Sequence, residues 1–242
     1  MSPEQNYFSC MLLKRSNFFL IDRYFSLTEK PINPSNYSLD ALNVVLNRHH
    51  DKSIGAWDAT GWLADREVLI IGAGTIGLLT LAAIRALGQS NRIYIVAKYP
   101  HQQKLAGEFG ADEIIPHDKD LYANFCRLTS AESHQPELGK PVLLGGVDVT
   151  FDCVASASTI DDALRFTRAQ GSVMLVGMPG IPKNIDWTSI WYKELRVNGA
   201  YAYGVENYDG NRVRTFDLAI EHLRRLGTQL RPLVGERFSQ KD

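Results

Sequence analysis

The stretch that most restricts the fold is VLIIGAGTIGLLTLAAIRALG, Val68 to Gly88. Val68–Ile71 is a short apolar run containing two isoleucines, set between Asp65-Arg66-Glu67 and Gly72. Such a run suits a strand buried on both faces. From Thr75 onward Ile76, Leu79, Leu81, Ala83, Ile84 and Leu87 make a helix that is apolar almost all round, with Gly88 in the position of a C-terminal cap. The joint between them, Gly72-Ala73-Gly74-Thr75-Ile76-Gly77, is G-x-G-x-x-G. In this spacing Gly72 permits the tight turn, Gly74 leaves room for a pyrophosphate to approach the backbone, and Gly77 lets the helix lie against the strand. The N–H groups of Thr75 and Ile76, unpaired in the first helical turn, then face the ligand, where the helix dipole favours an anion. Taken alone, the glycines could as well only close a tight turn. A second strand at Arg92–Val96, within a unit of roughly 30 residues, supplies the context that dinucleotide binding requires.

The rest of the chain alternates in the same manner. A helix is predicted over Gln102–Glu108, stopped by Gly110, and a third strand at Glu113–Ile115. Residues 118–146 are less regular, with a helix near Leu121–Leu128 and a loop through SHQPELGKP. Val147–Val154 reads as a fourth strand, Thr159–Arg168 as a helix stopped by Gly171, Ser172–Val176 as a fifth strand and Leu195–Asn198 as a sixth. A long amphipathic helix follows from about Arg212 to Leu226, with Phe216, Leu218, Ala219, Leu223 and Leu226 toward the core. Six strands with interposed helices imply an α/β fold, a doubly wound parallel sheet of Rossmann type. Residues 1–61 read as a short irregular extension, with the loop EKPINPSN and a helix at Leu39–Arg48 capped by Ser38. Residues 62–232 form the dinucleotide-binding domain and 233–242 a tail.

Bulk properties remove several function classes. Of 242 residues, 45% are hydrophobic and 22% charged, and the net charge of −1 offers no attraction to nucleic acid or an anionic membrane. Cys10, Cys126 and Cys153 are too scattered for a disulfide framework, so a reducing cytoplasm is expected. No apolar run reaches the length of about 18 residues that a membrane span needs. Lys193-Glu194 and Asp161-Asp162 read most simply as solvated charges, and no nucleophile–base constellation can be assembled from the spacings.

Several segments together resemble the coenzyme-binding domain of the medium-chain dehydrogenase/reductase family, which contains the zinc-dependent alcohol dehydrogenases. They are VLIIGAGTIGLLTLAAIRALG, then GADEII (Gly110–Ile115), VDVTFDCVASASTIDDALRFTRAQGSVMLVGMPG (Val147–Gly180) and KELRVNGAYAYG (Lys193–Gly204). Within the family, AKYPHQQKLAGEFGA and the insertion GKPVLLGGVD look closest to the threonine-dehydrogenase-like branch. The resemblance implies that Gly72, Gly74, Thr75, Ile76 and Gly77 hold the pyrophosphate and that Cys153 and Val154 flank the adenosine side. There the family's usual glycine is Ala155. Val176, Gly177 and Met178 would bind the nicotinamide carboxamide through their backbone, with Ala200 and Tyr201 nearby. Simple core packing remains the alternative for Val176 and Met178. It further implies hydride transfer between a nicotinamide coenzyme and a small alcohol or carbonyl substrate, and a homodimer paired through the edge strand Leu195–Asn198. A catalytic domain of about 150 residues, with zinc on Cys and His ligands, is also implied. Only about 60 residues with one cysteine precede the coenzyme domain here, so zinc is expected only in such a catalytic domain and the chain reads as a member reduced to its coenzyme half. Two alternatives stay open: a dinucleotide-binding module without catalysis, and a zinc-independent enzyme of quinone-reductase type. Residues 1–35 are expected to be less ordered than the sheet.

An NAD-specific site carries Asp or Glu about 20 residues beyond the glycines, to accept from the ribose hydroxyls. That place falls on Ala97, followed by Lys98, Tyr99, Pro100 and His101. A small residue, a lysine and a histidine able to donate suit a 2′-phosphate, so NADP(H) is expected over NAD(H). A solvated Lys98 with no preference is the competing reading.

Overall fold

The computed structural model describes residues 63, 65–86, 91–137, 139–200, 205–208 and 211–233. The expectations for residues 1–61, the Gly88 cap and Tyr201 lie outside these. Six parallel strands form one sheet: β1 (Glu67–Ile71), β2 (Arg92–Ala97), β3 (Glu113–Pro116), β6 (Val147–Asp152), β7 (Thr167–Leu175) and β8 (Arg196–Gly199), in the order β3-β2-β1-β6-β7-β8. Strands β4 (Glu132–His134) and β5 (Val142–Leu144) pair as a small antiparallel hairpin, as do β9 (Val205–Tyr208) and β10 (Asn211–Arg214).

The two-faced burial foreseen for β1 follows from its alternation. Val68 and Ile70 pack toward α1 (Thr75–Ala86), α2 (Pro100–Glu108) and α6 (Thr215–Leu226), in a cluster with Leu78, Leu81, Ile84, Ala106, Leu218 and Leu223. Leu69 and Ile71 face the other way, toward α3 (Leu121–Thr129) and α4 (Ala157–Phe166), among Leu121, Phe125, Ile160, Leu164 and Phe166. Such double cover requires right-handed crossovers that run outward from β1 to β3, return to β6 beside β1, and run outward again. Among the described residues no helix is long and apolar enough to cross a membrane.

Several expectations are corrected here. The helix at 159–168 is α4, two residues earlier at its start, and it passes into β7 at Thr167 with no loop. At this junction the Ala163 oxygen accepts both the Thr167 N–H and its hydroxyl, the latter at 2.7 Å, and Lys193 Nζ takes the oxygens of Arg165 and Thr167 at 2.6 and 2.8 Å. Gly171 does not stop the helix. It sits inside β7 beside a register shift, where a Cβ would lie 2.9 Å from the Asp148 oxygen. Helix α6 begins at Thr215 because Asn211–Arg214 pair with β9 instead. Part of SHQPELGKP is the β4–β5 hairpin, and a short α5 (Thr188–Tyr192) precedes β8.

The charges read as solvated are mostly buried. Asp161 and Asp162 are 5% and 4% exposed. Lys140 Nζ bridges them at 3.0 and 2.6 Å, Tyr122 donates to Asp162 at 2.7 Å, and Arg165 links Asp161 at 3.3 Å to Asp186 at 2.9 Å. Arg165 also donates to the carbonyls of Lys140 and Pro141. Partners on three separate segments meet around one turn of α4, which no local pattern reveals. Only Glu194 of the four is exposed.

Lys193 is 3% exposed and its two hydrogen-bond partners are both carbonyls. Burial, with the Arg165 charge adding to it, lowers its ammonium from 10.5 to about 8. Between these values the unfolded chain holds a proton that the native protein has released, so stability rises with pH across this window. Urea unfolding from pH 7 to 10.5 should show a gain on the order of 2–3 kcal/mol in the wild type relative to Lys193→Met. Parallel pH profiles for the two proteins would remove Lys193 as its source.

Candidate coenzyme site

The register aligns the ends of the strands. Ile71 is opposite Val96 and Asp152, Asp152 is opposite Leu175, and Leu175 is opposite Gly199. The turns that follow therefore emerge along one edge, at the carboxyl ends, where open α/β sheets bind ligands. Each is tied to a neighbouring strand: Gly72 N–H donates to Val96 O and Cys153 N–H to Ile71 O, both at 3.0 Å, and Ala200 N–H to Leu175 O at 2.9 Å. The junction of β1 and β6, where the winding reverses, is the centre of this edge.

Three glycines shape that junction in different ways. Gly72 has φ +95°, a conformation L residues rarely adopt, and a Cβ there would lie 2.4 Å from the Val154 side chain. At Gly77 a Cβ would lie 1.8 Å from the Gly72 carbonyl oxygen, so α1 rests directly on the turn. Around Gly74 nothing in the chain comes within 4 Å of a Cβ, so the space beside it is open. Its carbonyl accepts the first helical bond, from Leu78 N–H at 2.9 Å. This leaves the amides of Thr75 and Ile76 without a helical acceptor beside the space.

Across the junction, Asp152 ends β6, fully buried. Its Oδ1 accepts from Val154 and Ala155 N–H, each at 3.0 Å, and its main-chain oxygen accepts from Val176 and Gly177 N–H, each at 2.9 Å. Ala155, at the family's glycine position, has φ +60°. Cys153 Sγ lies 3.8 Å from the Thr80 hydroxyl of α1, and burial pushes its thiol up to about 12. Val154 and Met178 are exposed, while Val176 and Ala200 lean on the α1 face of the core. Asp152, Ser156 and Thr159 were not foreseen. The available signal was an Asp closing an apolar strand with Ser-x-x-Thr just beyond, a helix-capping pattern that the structure confirms, with Thr159 N–H 3.2 Å from Ser156 Oγ.

Beyond β2, Ala97 is fully buried, and its carbonyl accepts from His117 N–H and the Gln103 amide. Lys98, Tyr99 and His101 are exposed. Lys98 Nζ stands 5.4 Å from the Tyr99 ring centre, and the rings of Tyr99 and His101 stack 5.8 Å apart, 8° from parallel. The structure thus gathers the glycine turn, Lys98, His101, Cys153, Val154, Val176, Gly177, Met178 and Ala200 on one edge, and buries the Ala97 methyl. Among the described residues no group of three His, Cys, Asp or Glu side chains could hold a metal ion.

The glycines separate fold from site. Gly77→Ala must displace backbone and should destabilise by about 3 kcal/mol or more. Gly74→Ala meets open space and should stay within about 1 kcal/mol of wild type. Urea unfolding that ranks the two variants equally would contradict this packing.

Comparison with known proteins agrees with this architecture. The family described as zinc-binding dehydrogenase matches residues 75–227. L-idonate 5-dehydrogenase of Vitis vinifera is 33% identical over 183 residues, and sorbitol dehydrogenase of Arabidopsis thaliana 33% over 181; each match covers 74% of this chain and 44% of the relative. The chain therefore spans less than half the length of these relatives. Among solved structures, 2R,3R-butanediol dehydrogenase of Bacillus subtilis superposes with a TM-score of 0.60 at 24% identity, over 83% of this chain and 48% of that one. With the same six-stranded parallel sheet and glycine turn, the chain belongs to the zinc-binding dehydrogenases of the medium-chain dehydrogenase/reductase family and corresponds to their coenzyme-binding half.

Proposed function

We propose that the chain binds a nicotinamide dinucleotide across the β1–β6 junction, prefers NADP(H), and serves a dehydrogenase that interconverts an alcohol and its carbonyl. The observation that carries the reading is the open space at Gly74 beside the first-turn amides of α1. The coenzyme, when bound, supplies the hydride chemistry. The protein's part is to bind and orient: the Gly72–Gly77 turn holds the pyrophosphate, and Cys153 and Val154 flank the adenosine side. The Val176 carbonyl and Met178 main chain meet the carboxamide, because the Val176 and Gly177 amides are already given to Asp152. Ala200 and Tyr201 border the same end. Zinc enters this reading only through a catalytic domain, since the described residues offer no ligand set for it. The names of the two curated relatives, both acting on polyhydroxylated carbon chains, favour a secondary alcohol of that kind.

NADP(H) preference rests on Lys98 and His101 standing exposed where NAD-specific sites carry a carboxylate. A charged hydrogen bond is worth about 1.5–3 kcal/mol, a preference of roughly 10- to 100-fold. Titration by nicotinamide fluorescence should find NADPH bound more tightly than NADH by that ratio, and the ratio should shrink as salt rises. Lys98→Ala should narrow it about tenfold, and Gly74→Ala should weaken both coenzymes alike. Equal constants for the two coenzymes would remove the preference and leave the binding reading intact. A second reading, a dinucleotide-binding module without turnover, is favoured by the absence of a metal-ligand cluster among the described residues. Oxidation of a polyol panel with added zinc would overturn it.

The same reading includes a homodimer. Among the described residues strand β8 ends the sheet with one edge unpaired, next to the exposed Trp187 and Trp191. Two such edges can pair about a two-fold axis and cover these rings. Light scattering at micromolar concentration should give twice the chain mass, and Trp191→Lys should shift it toward the monomer. A reducing cytoplasm belongs to the same reading and rests on the scattered placing of the three cysteines in the sequence.

A further inference from the structure

The carboxylate of Asp152 is met by donors from the turns of the coenzyme edge, and the Asp162 charge on α4 adds to burial in opposing its ionisation. Oδ1 takes the amides of Val154 and Ala155, Oδ2 takes the Thr159 hydroxyl at 3.2 Å, and the main-chain oxygen takes the amides of Val176 and Gly177. Five donors from two turns and one helix thus converge on one residue. The bonds hold Ala155 in the left-handed region, against its steric preference. The turns are also in close contact, since a Cβ on Gly177 would lie 2.7 Å from the Ala155 methyl. A shift of one turn therefore moves the other.

We propose that Asp152 is a positioning residue for the coenzyme: it locks the turn after β6 to the turn after β7, sets the wall facing the glycine turn, and acts as an acceptor and not as a charge. This rests on the coenzyme reading above. The distinction between acceptor and charge comes from Thr159. Its hydroxyl also lies 3.1 Å from the Ser156 carbonyl oxygen, an alternative acceptor for its proton. An asparagine at 152 can keep its oxygen for both amides and donate to the Thr159 oxygen, with the hydroxyl turned to Ser156. An alanine keeps only the main-chain bonds. Burial raises the Asp152 carboxyl above its ordinary range. The native state therefore opposes its ionisation, and the associated stability is greatest in acid and lost as pH rises through the raised value. Asp152→Asn should remove that loss.

The test uses the 242-residue chain as wild type, Asp152→Asn, Asp152→Ala and Thr159→Val. NADPH and NADH affinity is read by nicotinamide fluorescence, amide exchange at Val154 and Ala155 by NMR, and melting temperature from the ordinary carboxylate range up to pH 8. Asp152→Asn should bind within about twofold of wild type, keep both amides protected, and melt higher than wild type at pH 8, with the gap closing as pH falls into the ordinary carboxylate range. Asp152→Ala should lose about tenfold or more in affinity and expose both amides. If alanine does not fold, Thr159→Val, which loosens the Oδ2 arm alone, should weaken binding about threefold and speed exchange at the same amides. A tenfold loss in Asp152→Asn, unchanged affinity in a folded Asp152→Ala, or unchanged affinity in Thr159→Val where alanine does not fold overturns the role. Wild-type protein that binds neither NADPH nor NADH overturns the coenzyme reading and this inference with it. Wild-type binding with insensitive variants overturns the positioning role alone.

Discussion

The approach of helix α1 to strand β1 governs the carboxyl edge of this protein. With Gly77 resting on the Gly72 carbonyl, the helix starts immediately at the end of the strand and directs its first-turn amides over the strand ends. A side chain at position 77 would tilt the helix away, moving both the open space at Gly74 and the Thr80 contact to Cys153. The in-register strand ends do the rest. Because Ile71, Val96, Asp152, Leu175 and Gly199 stand at one level, five turns from distant parts of the chain share a single rim.

Charge is distributed unevenly about this frame. The α4 face carries Asp161, Asp162, Arg165 and Lys140 in a connected buried set, and Lys193 closes the end of α4 without any carboxylate. Breaking a buried pair typically costs about 3–5 kcal/mol, while replacing the whole set with apolar residues can be neutral, so such a set says more about register than about net stability. Here it joins α4 to the segments ahead of β5 and α5, which set the position of the β7 and β8 ends. The coenzyme edge, in contrast, holds one buried carboxylate, Asp152, whose donors are backbone amides and a hydroxyl.

The difference between the two faces of the sheet has a chemical meaning. The edge presents glycine, the first-turn amides of α1 and the Lys98–Tyr99–His101 stack, whereas the acidic pair of α4 is neutralised by Lys140 and Arg165. Rim and scaffold thus differ: at the rim the amides of Thr75 and Ile76 have no helical acceptor while those of Val154, Ala155, Val176 and Gly177 are taken by Asp152, and behind α4 charges are consumed in holding segments together.

What could be read from the sequence alone was whatever depends on neighbours within one turn or one strand. The apolar run of Val68–Ile71, the three glycines, the helix periodicity through Ile84 and the alternation of strands and helices are local signals, and they determined the doubly wound sheet and the place of its rim. Tertiary structure alone decided the end of α4 at Phe166, because the Lys193 ammonium that satisfies its carbonyls lies 28 residues from Arg165. It alone buried Asp161 and Asp162, whose partners at 122, 140 and 186 converge only when the sheet forms, joining the local Arg165. It alone added the Val176 and Gly177 amides to the local donors of Asp152, since the parallel register brings the two turns side by side. A polar side chain is exposed by default in one dimension, and only long-range contacts that supply its hydrogen bonds allow it to be buried.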